Sequence, residues 1–204
     1  MFCDIRGITK ENAPKRKNTK RIKLTPTEKE AIYALPLHIQ YEVVCVNIAT
    51  RHRVLQHILV DPAARDYKQV RAVAIAYTED CDCRINPVVV ANEKVGRAKI
   101  YPDIKDSASP DLFTPKYGYI DVKSPQNKNN IVRNANLACN QGAIVVLTDL
   151  MMNEELKHKM ILQLTVKIFS ENNRNHRGES NYTKDQIHWF IKGALIKYNR
   201  SETL

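Results

Sequence analysis

Polar and apolar residues alternate over a short run near the middle of the chain, Tyr-Ile-Asp-Val-Lys from Tyr119 to Lys123. Because a strand has a side-chain period of two, Asp121 and Lys123 are expected on one face, and the two aliphatic residues on the face that packs against a core. Turn-forming residues precede the run, which predicts a hairpin that brings Asp111 to the same polar end. The pattern thus predicts that two acids and a lysine converge.

A helix and a second strand are predicted after this hairpin. The predicted helix runs from Asn130 to Gln141, and Gly142 fits the position just beyond a helix, where a left-handed residue ends it. Residues 143–148 form a continuous apolar run, which is typical of a strand buried on both faces. A helical crossover between two strands predicts that they are parallel.

The N-terminal part of the chain has the pattern of helices. Thr25, Pro26 and Glu28 fit the N-cap, the first helical position and the partner of a capping box. Apolar residues then recur at helical spacing, which predicts one helix broken near Pro36 and a second from 41 to 60.

The predicted organisation has three parts within an α/β fold. These are a flexible basic arm over 1–24, a helical extension over 25–62 and an α/β domain over 63–204. Within the domain, further elements are expected as follows: a helix over 66–78, a strand over 84–90, a short edge strand over 98–101, a helix over 153–169, a polar loop over 170–181 and a hairpin over 186–198.

Composition indicates the kind of partner. The 204 residues include 32 Lys and Arg against 22 Asp and Glu, a formal charge of +10, which favours a polyanion such as nucleic acid. Residues 10–23 are too basic and polar to bury a core, and could follow a phosphate backbone. The candidate nucleic-acid contacts are Lys15, Arg16, Lys17, Lys20, Arg21, Lys128 and Arg133.

The compartment is predicted from what the sequence lacks. The five cysteines have no disulfide-framework spacing, and Cys81 and Cys83 lack the partners of a zinc site, which favours free thiols in a reducing compartment. We find neither an N-terminal apolar signal region nor a run of 18 apolar residues. A cytoplasmic protein without a membrane span is therefore expected.

The predicted acid pair has a chemical use. Two carboxylates can hold a hard divalent ion such as Mg²⁺ or Mn²⁺ that also takes a phosphate oxygen, and a nearby ammonium can orient the attacking water or neutralise developing charge. Together these groups suit the hydrolysis of a phosphodiester bond.

The motif Pro110-Asp111, followed ten residues later by Asp121-Val122-Lys123, resembles that of the PD-(D/E)XK nuclease superfamily, which is restriction-endonuclease-like. The resemblance covers roughly 66–150 and implies a core of helix, three strands, helix and strand. It implies that Asp111 and Asp121 are metal ligands and Lys123 the catalytic lysine. The family often places a polar residue on the following helix, which makes Gln141 a weaker catalytic candidate. In the same family a helix ahead of the first core strand sometimes lends an acid to the site, which makes Glu79 a further weak ligand.

Two other functions stay open at the level of sequence. The run from 110 to 147 is also similar in outline to toxin-type ribonuclease domains of contact-dependent inhibition systems and of the barnase, EndoU, colicin and RelE-like group. That resemblance implies metal-independent RNA cleavage centred on Lys123, Ser124, Arg133 and Gln141, and a neutralising inhibitor protein as partner. The third hypothesis is a basic nucleic-acid-binding protein without catalysis, whose acids are structural.

Overall fold

The computed structural model describes residues 24–90, 92–104, 108–125, 134–139, 141–152, 154, 157 and 184–197. They form a mixed α/β structure around one eight-stranded sheet, which confirms the α/β class that the sequence predicts. The strands are β1 Tyr41–Val46, β2 Arg53–His57, β3 Cys83–Ile85, β4 Leu112–Thr114, β5 Gly118–Lys123, β6 Ile144–Thr148, β7 Ile187–Ile191 and β8 Ala194–Lys197. The helices are α1 Pro26–Ala34, α2 Tyr67–Tyr77 and α3 Lys94–Ile100, a helical segment at 134–139 and a 3-10 helix at Lys184–Gln186.

The strands lie in the sheet in chain order, from β1 to β8. The pairs β2–β3, β5–β6 and β6–β7 are parallel, and the other neighbours are antiparallel. The parallel pair β5–β6 is joined through the helical segment at 134–139, as the sequence predicted. Gly142 ends that segment with a φ of +80°, as expected for the residue after a helix.

Different helices pack against the two faces of the sheet. Helix α2 packs its buried side against one face, where Ile120 and Val122 join the main hydrophobic core. On the other face, Ala135 and Ala138 of the helical segment pack against Val145 and other residues of β6 and β7. Because side chains alternate along β5, Asp121 faces the side of the helical segment.

The predicted helix over 41–60 is wrong, because this stretch forms the antiparallel strands β1 and β2 of the same sheet. The loop between them is set by Asn47, whose side chain accepts hydrogen bonds from the N–H groups of Ala49 at 3.0 Å and Thr50 at 3.2 Å. Arg51 closes the loop with a φ of 64°. This turn, and the β-branched residues on either side, override the helical spacing of the apolar positions.

Two further expectations change around α3. The predicted edge strand over 98–101 is wrong, since Lys94–Ile100 is a helix that buries Gly96, Arg97 and Ile100 against α1 and its surroundings. The strand expected over 84–90 is shorter in the structure, where β3 covers only Cys83–Ile85. Among the described residues, the four cysteines are buried and form no disulfide bond.

Several local predictions are confirmed. Thr25 and Glu28 form a reciprocal capping box at the start of α1, which ends before Pro36. Helix α2 lies within the predicted range 66–78, and β7 and β8 form the predicted C-terminal hairpin. The predicted helix over 153–169 lies outside the described residues except at 154 and 157, and the loop over 170–181 lies wholly outside them.

Candidate active site

The hairpin of β4 and β5 brings the two predicted acids together. Leu112 pairs with Ile120 in the antiparallel register. One step further along both strands, Asp111 stands across from Asp121, on the same face, because opposed residues of antiparallel strands share a face. The side chain of Asp111 also accepts a hydrogen bond at Oδ2 from the N–H of Val122, at 2.8 Å.

Lys123 completes the cluster from the same strand and the same face as Asp121. Its Nζ lies 2.8 Å from Asp121 Oδ1. The lysine side chain is 36% exposed and the aspartate side chain 5%, so the ammonium can reach solvent while the carboxylate is enclosed. Asp111, Asp121 and Lys123 are therefore one interacting group.

Burial and repulsion act together on the acids. Burial raises the pKa of Asp111 well above its ordinary value, and the charge of Asp121 raises it further, while Lys123 and the Val122 N–H oppose the shift. For Lys123, burial acts to lower the pKa, but attraction to Asp121, and then to Asp111 and Asp66, leaves it above the ordinary value. The group thus holds two carboxylates that repel each other beside a firmly protonated amine.

The position of Asp111 is fixed through its main chain. The Asp111 carbonyl accepts a hydrogen bond from the Asn86 N–H at 2.9 Å, and the preceding Pro110 carbonyl accepts one from the Tyr101 hydroxyl at 3.2 Å. Arg97, which is buried, donates to the carbonyl of Ala108 and, at 2.5 Å, to that of Val89. These bonds tie the Pro110-Asp111 segment to β3 and α3.

The carboxylates of Asp111 and Asp121 are suited to bind a divalent metal ion. Two adjacent carboxylates whose repulsion lifts a pKa form a place where a cation would be stabilised, and oxygen is the ligand that Mg²⁺ and Mn²⁺ prefer. Over the described ranges, no group of three or more His, Cys, Asp or Glu side chains is arranged to hold a metal ion. Waters and substrate oxygens would have to complete the coordination, as is usual for Mg²⁺.

Gln141 and Glu79 lie away from this cluster. Gln141 precedes β6, at the end of the sheet where Ile144 pairs with Ile120, whereas Lys123 pairs with Leu147 at the other end. Glu79 follows the C-terminal end of α2, where its charge acts on Lys197. An eleven-residue helix is roughly 16 Å long, so Glu79 is far from the end of α2 that approaches Lys123.

The remaining candidates are placed as follows. Ser124, from the ribonuclease alternative, makes a hydrogen bond through Oγ with Gln69 Oε1 of α2. The candidate nucleic-acid contacts Lys15, Arg16, Lys17, Lys20, Arg21, Lys128 and Arg133 all lie outside the described residues.

Sequence reasoning missed the residues that support the site. Asn86, Arg97 and Tyr101 act through main-chain carbonyls, and no motif signals such contacts. Arg97 directly precedes the segment over 98–101 that was predicted as a strand, so the helix that buries its side chain was not recognised. Asp66, whose charge reaches Lys123, could have been found, because it directly precedes the periodic residues of α2.

No protein-family model, no curated protein and no solved structure matches this chain. In the described part of the chain, none of the helices has the length and apolar character that crossing a membrane requires.

Proposed function

We propose that this chain is a metal-dependent endonuclease that hydrolyses phosphodiester bonds of nucleic acid, with Mg²⁺ or Mn²⁺ as cofactor. The observation that carries the proposal is the register of β4 and β5, which sets Asp111 across from Asp121, with the Lys123 ammonium 2.8 Å from Asp121. Two acids ten residues apart meet only because the hairpin folds in this register.

Each side chain has a role in the proposed reaction. Asp111 and Asp121 would hold the ion, which when bound polarises a phosphate oxygen and lowers the pKa of a bound water. A cation between the acids would also weaken the hold of Asp121 on Lys123. The partly exposed ammonium could then orient the attacking water or neutralise charge on the phosphate.

The order of elements supports a restriction-endonuclease-like core. Helix α2, the strands β3, β4 and β5, the helical segment at 134–139 and β6 occur in that order along the chain, with α3 inserted between β3 and β4. Apart from α3, this is the order of helix, three strands, helix and strand which the resemblance to the PD-(D/E)XK superfamily implies. Asp111 directly precedes the second of these strands, and Asp121 and Lys123 lie on the third.

Charge supports nucleic acid as the substrate. The formal charge of +10 favours a polyanion, and phosphodiester backbones are the polyanions whose cleavage a carboxylate-bound divalent ion assists.

The first experiment separates the three functions considered for the sequence. Purified protein is incubated with supercoiled DNA and with total RNA, in Mg²⁺, in Mn²⁺ and in EDTA. We expect cutting that EDTA abolishes. Cutting of RNA that EDTA leaves intact would instead favour the metal-independent ribonuclease, and retardation without cutting would favour a binding protein.

The second experiment assigns the cutting to this site. We expect Asp121→Asn and Lys123→Ala each to lower the cutting rate by about 10²–10⁴-fold, because each removes a group that acts on the reacting atoms. Glu79→Gln is the matched control, since it neutralises an acid at the far end of α2, and it should cut at the wild-type rate. Wild-type cutting by either site variant would overturn the proposal.

A further inference from the structure

A cavity of about 590 Å³ opens beside Asp111. Its walls come from α1, from the loop between β2 and α2, from the first turn of α2 and from the segment after β3. Asp111 therefore faces Asp121 across the hairpin and also lies at the edge of a separate space large enough for a small organic group. The proposed reaction uses the acid pair but does not use this space.

The cavity is lined by aliphatic side chains and by acidic residues. Val88, which is 73% exposed, and Ile58, which is 43% exposed, are large aliphatic side chains left open to solvent at its wall. Asp61 and Asp66 also line it. Lys29, the basic residue of the lining, is paired with Glu93 at 2.7 Å.

The aliphatic and acidic lining of the cavity suits a nucleobase better than the phosphate backbone. A phosphate would meet the carboxylates of Asp61 and Asp66, so the backbone is repelled. A nucleobase is flat, largely apolar on its faces and carries N–H donors on its edge, so aliphatic walls and carboxylate acceptors suit it. We propose that the cavity binds one unpaired nucleobase of the substrate next to the phosphate that is cut. This inference rests on the proposed nuclease function, which places the nucleic acid beside Asp111.

Asp66 is the residue that the proposal gives the clearest role. It stands at the N-cap of α2, yet its side chain makes no capping hydrogen bond to that helix. Asn86, by contrast, uses its amide within the protein, accepting from the Tyr41 hydroxyl and donating to the Pro110 carbonyl. The Asp66 carboxylate is thus the wall group suited to accept a hydrogen bond from an amino group of adenine, cytosine or guanine.

The proposal predicts which substrates are preferred. A base can enter only after it leaves its stack and its pair, which costs a few kcal/mol in a duplex and least where the base is already unpaired. Cutting should therefore concentrate at single-stranded or bulged nucleotides.

The test uses an oligonucleotide duplex with one unpaired nucleotide, which fixes the position of binding. Binding is measured in EDTA by fluorescence anisotropy for three forms: the duplex with an unpaired base, the same duplex with an abasic residue there, and the fully paired duplex. We expect removal of the base to weaken binding roughly five- to a hundredfold, the range of stacking contributions. The full-length protein is used throughout.

Asp66→Ala removes the acceptor, and Asp103→Ala, which changes an exposed acid outside the cavity lining, is its matched control. The Asp66 variant should lose about tenfold in its preference for an unpaired adenine or cytosine over an abasic residue, whereas the control should keep it. Equal binding of the base-containing and abasic duplexes by the wild type would overturn the inference, as would an unchanged preference in Asp66→Ala.

The two proposals fail in different ways. Cutting by the wild type that ignores pairing and the abasic change would remove the cavity's role and leave the nuclease intact. Base-dependent binding in EDTA with no cutting under any metal would remove the nuclease and leave the base-binding cavity.

Discussion

At the scale of single residues, the acid pair is a source of strain in the absence of a cation. Burial and the neighbouring charge of Asp121 raise the pKa of Asp111 well above 3.8. Between 3.8 and that raised value the folded protein holds a proton that the unfolded chain has released, so stability falls as pH rises through this window. At neutral pH the acid pair therefore lowers the stability of the folded protein, as is common for residues retained for function.

The first prediction is that Asp111→Asn stabilises the protein while it abolishes cutting. Asparagine removes the like-charge repulsion and can still accept the hydrogen bond from the Val122 N–H through its carbonyl oxygen. In EDTA at pH 7.5 we expect a Tm higher by roughly 2–4 °C for each kcal/mol of strain removed. The gain should shrink towards pH 4, where Asp111 is protonated. Thermal unfolding across this range measures both effects.

The exposed Asp103→Asn variant is the control for a general effect of charge, and it should leave the Tm unchanged. Mg²⁺ should raise the Tm of the wild type, because an ion that binds only the folded state stabilises it, and should raise that of Asp111→Asn less. A lower Tm for Asp111→Asn in EDTA at pH 7.5 would contradict the strain interpretation.

The residues of the acid cluster could be predicted because local pattern determines them. Two-residue alternation set Asp121 and Lys123 on one face, and the turn before them suggested the return of Asp111. Gln141 could not be judged in this way, since its distance from the site depends on which end of a parallel strand pair it precedes.

At the scale of elements, the contact between α1 and α3 shows how a helix can be hidden in a sequence. Gly96 lies inside α3, where glycine is unfavourable, and this weakened any helical prediction. In the structure the ring of Tyr33 lies against it, so that a Cβ added at Gly96 would overlap the ring. The close approach of the two helices explains the glycine and positions α1 as a wall of the cavity.

The second prediction follows from this contact. Glycine to alanine within a helix ordinarily stabilises, by up to about 1 kcal/mol, but Gly96→Ala should destabilise by about 1–3 kcal/mol because it overpacks the Tyr33 contact. Urea unfolding measures the change. Ala98→Gly, at an exposed position of the same helix, should destabilise only through propensity, and a stabilised Gly96→Ala would show that α1 does not pack here.

The hairpin of β1 and β2 marks the limit of periodicity as a guide to elements. Apolar residues from 41 to 60 fit helical spacing, yet the Asn47 turn reverses the chain between two strands. Such a turn depends on side-chain hydrogen bonds to the backbone, which a count of apolar positions does not include. By contrast, the strand, helix and strand from β5 to β6 carried a turn signal and a helix end that agreed with their periodicity, and were predicted correctly.

At the scale of the whole molecule, charge is concentrated at one end of the chain. Residues 1–23 hold eight Lys and Arg against two acids, a formal +6 of the total +10. This sequence feature predicts that the arm supplies a large part of the affinity for nucleic acid. Removing residues 1–23 keeps Leu24 at the cavity and Thr25 at the cap of α1.

The third prediction is that this deletion weakens binding more at low salt than at high salt. Each phosphate contact contributes about −0.9 to the slope of log K against log salt concentration on duplex DNA. We expect the slope to lose about one unit for each arm cation that contacts a phosphate. Binding isotherms at several salt concentrations measure it, and an unchanged slope would show that the arm does not contact the backbone.

Two buried histidines make the stability of the folded protein depend on pH, in the direction opposite to the effect of Asp111. In β2, His57 Nδ1 accepts a hydrogen bond from the Leu59 N–H at 3.1 Å, and His57 Nε2 lies 2.8 Å from Gln40 Oε1. In β7, His188 Nδ1 forms a hydrogen bond with the Tyr77 hydroxyl at 2.5 Å. Burial lowers the pKa of each to about 4, from an ordinary 6.5. Between pH 6.5 and about pH 4, these histidines are therefore protonated in the unfolded chain but neutral in the folded protein.

The fourth prediction is that stability falls as pH drops from 6.5 towards 4, by on the order of a few kcal/mol for the two histidines together. It is best measured by urea unfolding at pH 7, 6 and 5 in an Asp111→Asn background, which removes the opposing effect of that acid. The combined His57→Gln and His188→Gln changes should lower stability at pH 7, because buried hydrogen bonds are altered, yet flatten its dependence on pH. A slope as steep in that variant as in its parent would mean that the proton uptake occurs elsewhere in the chain.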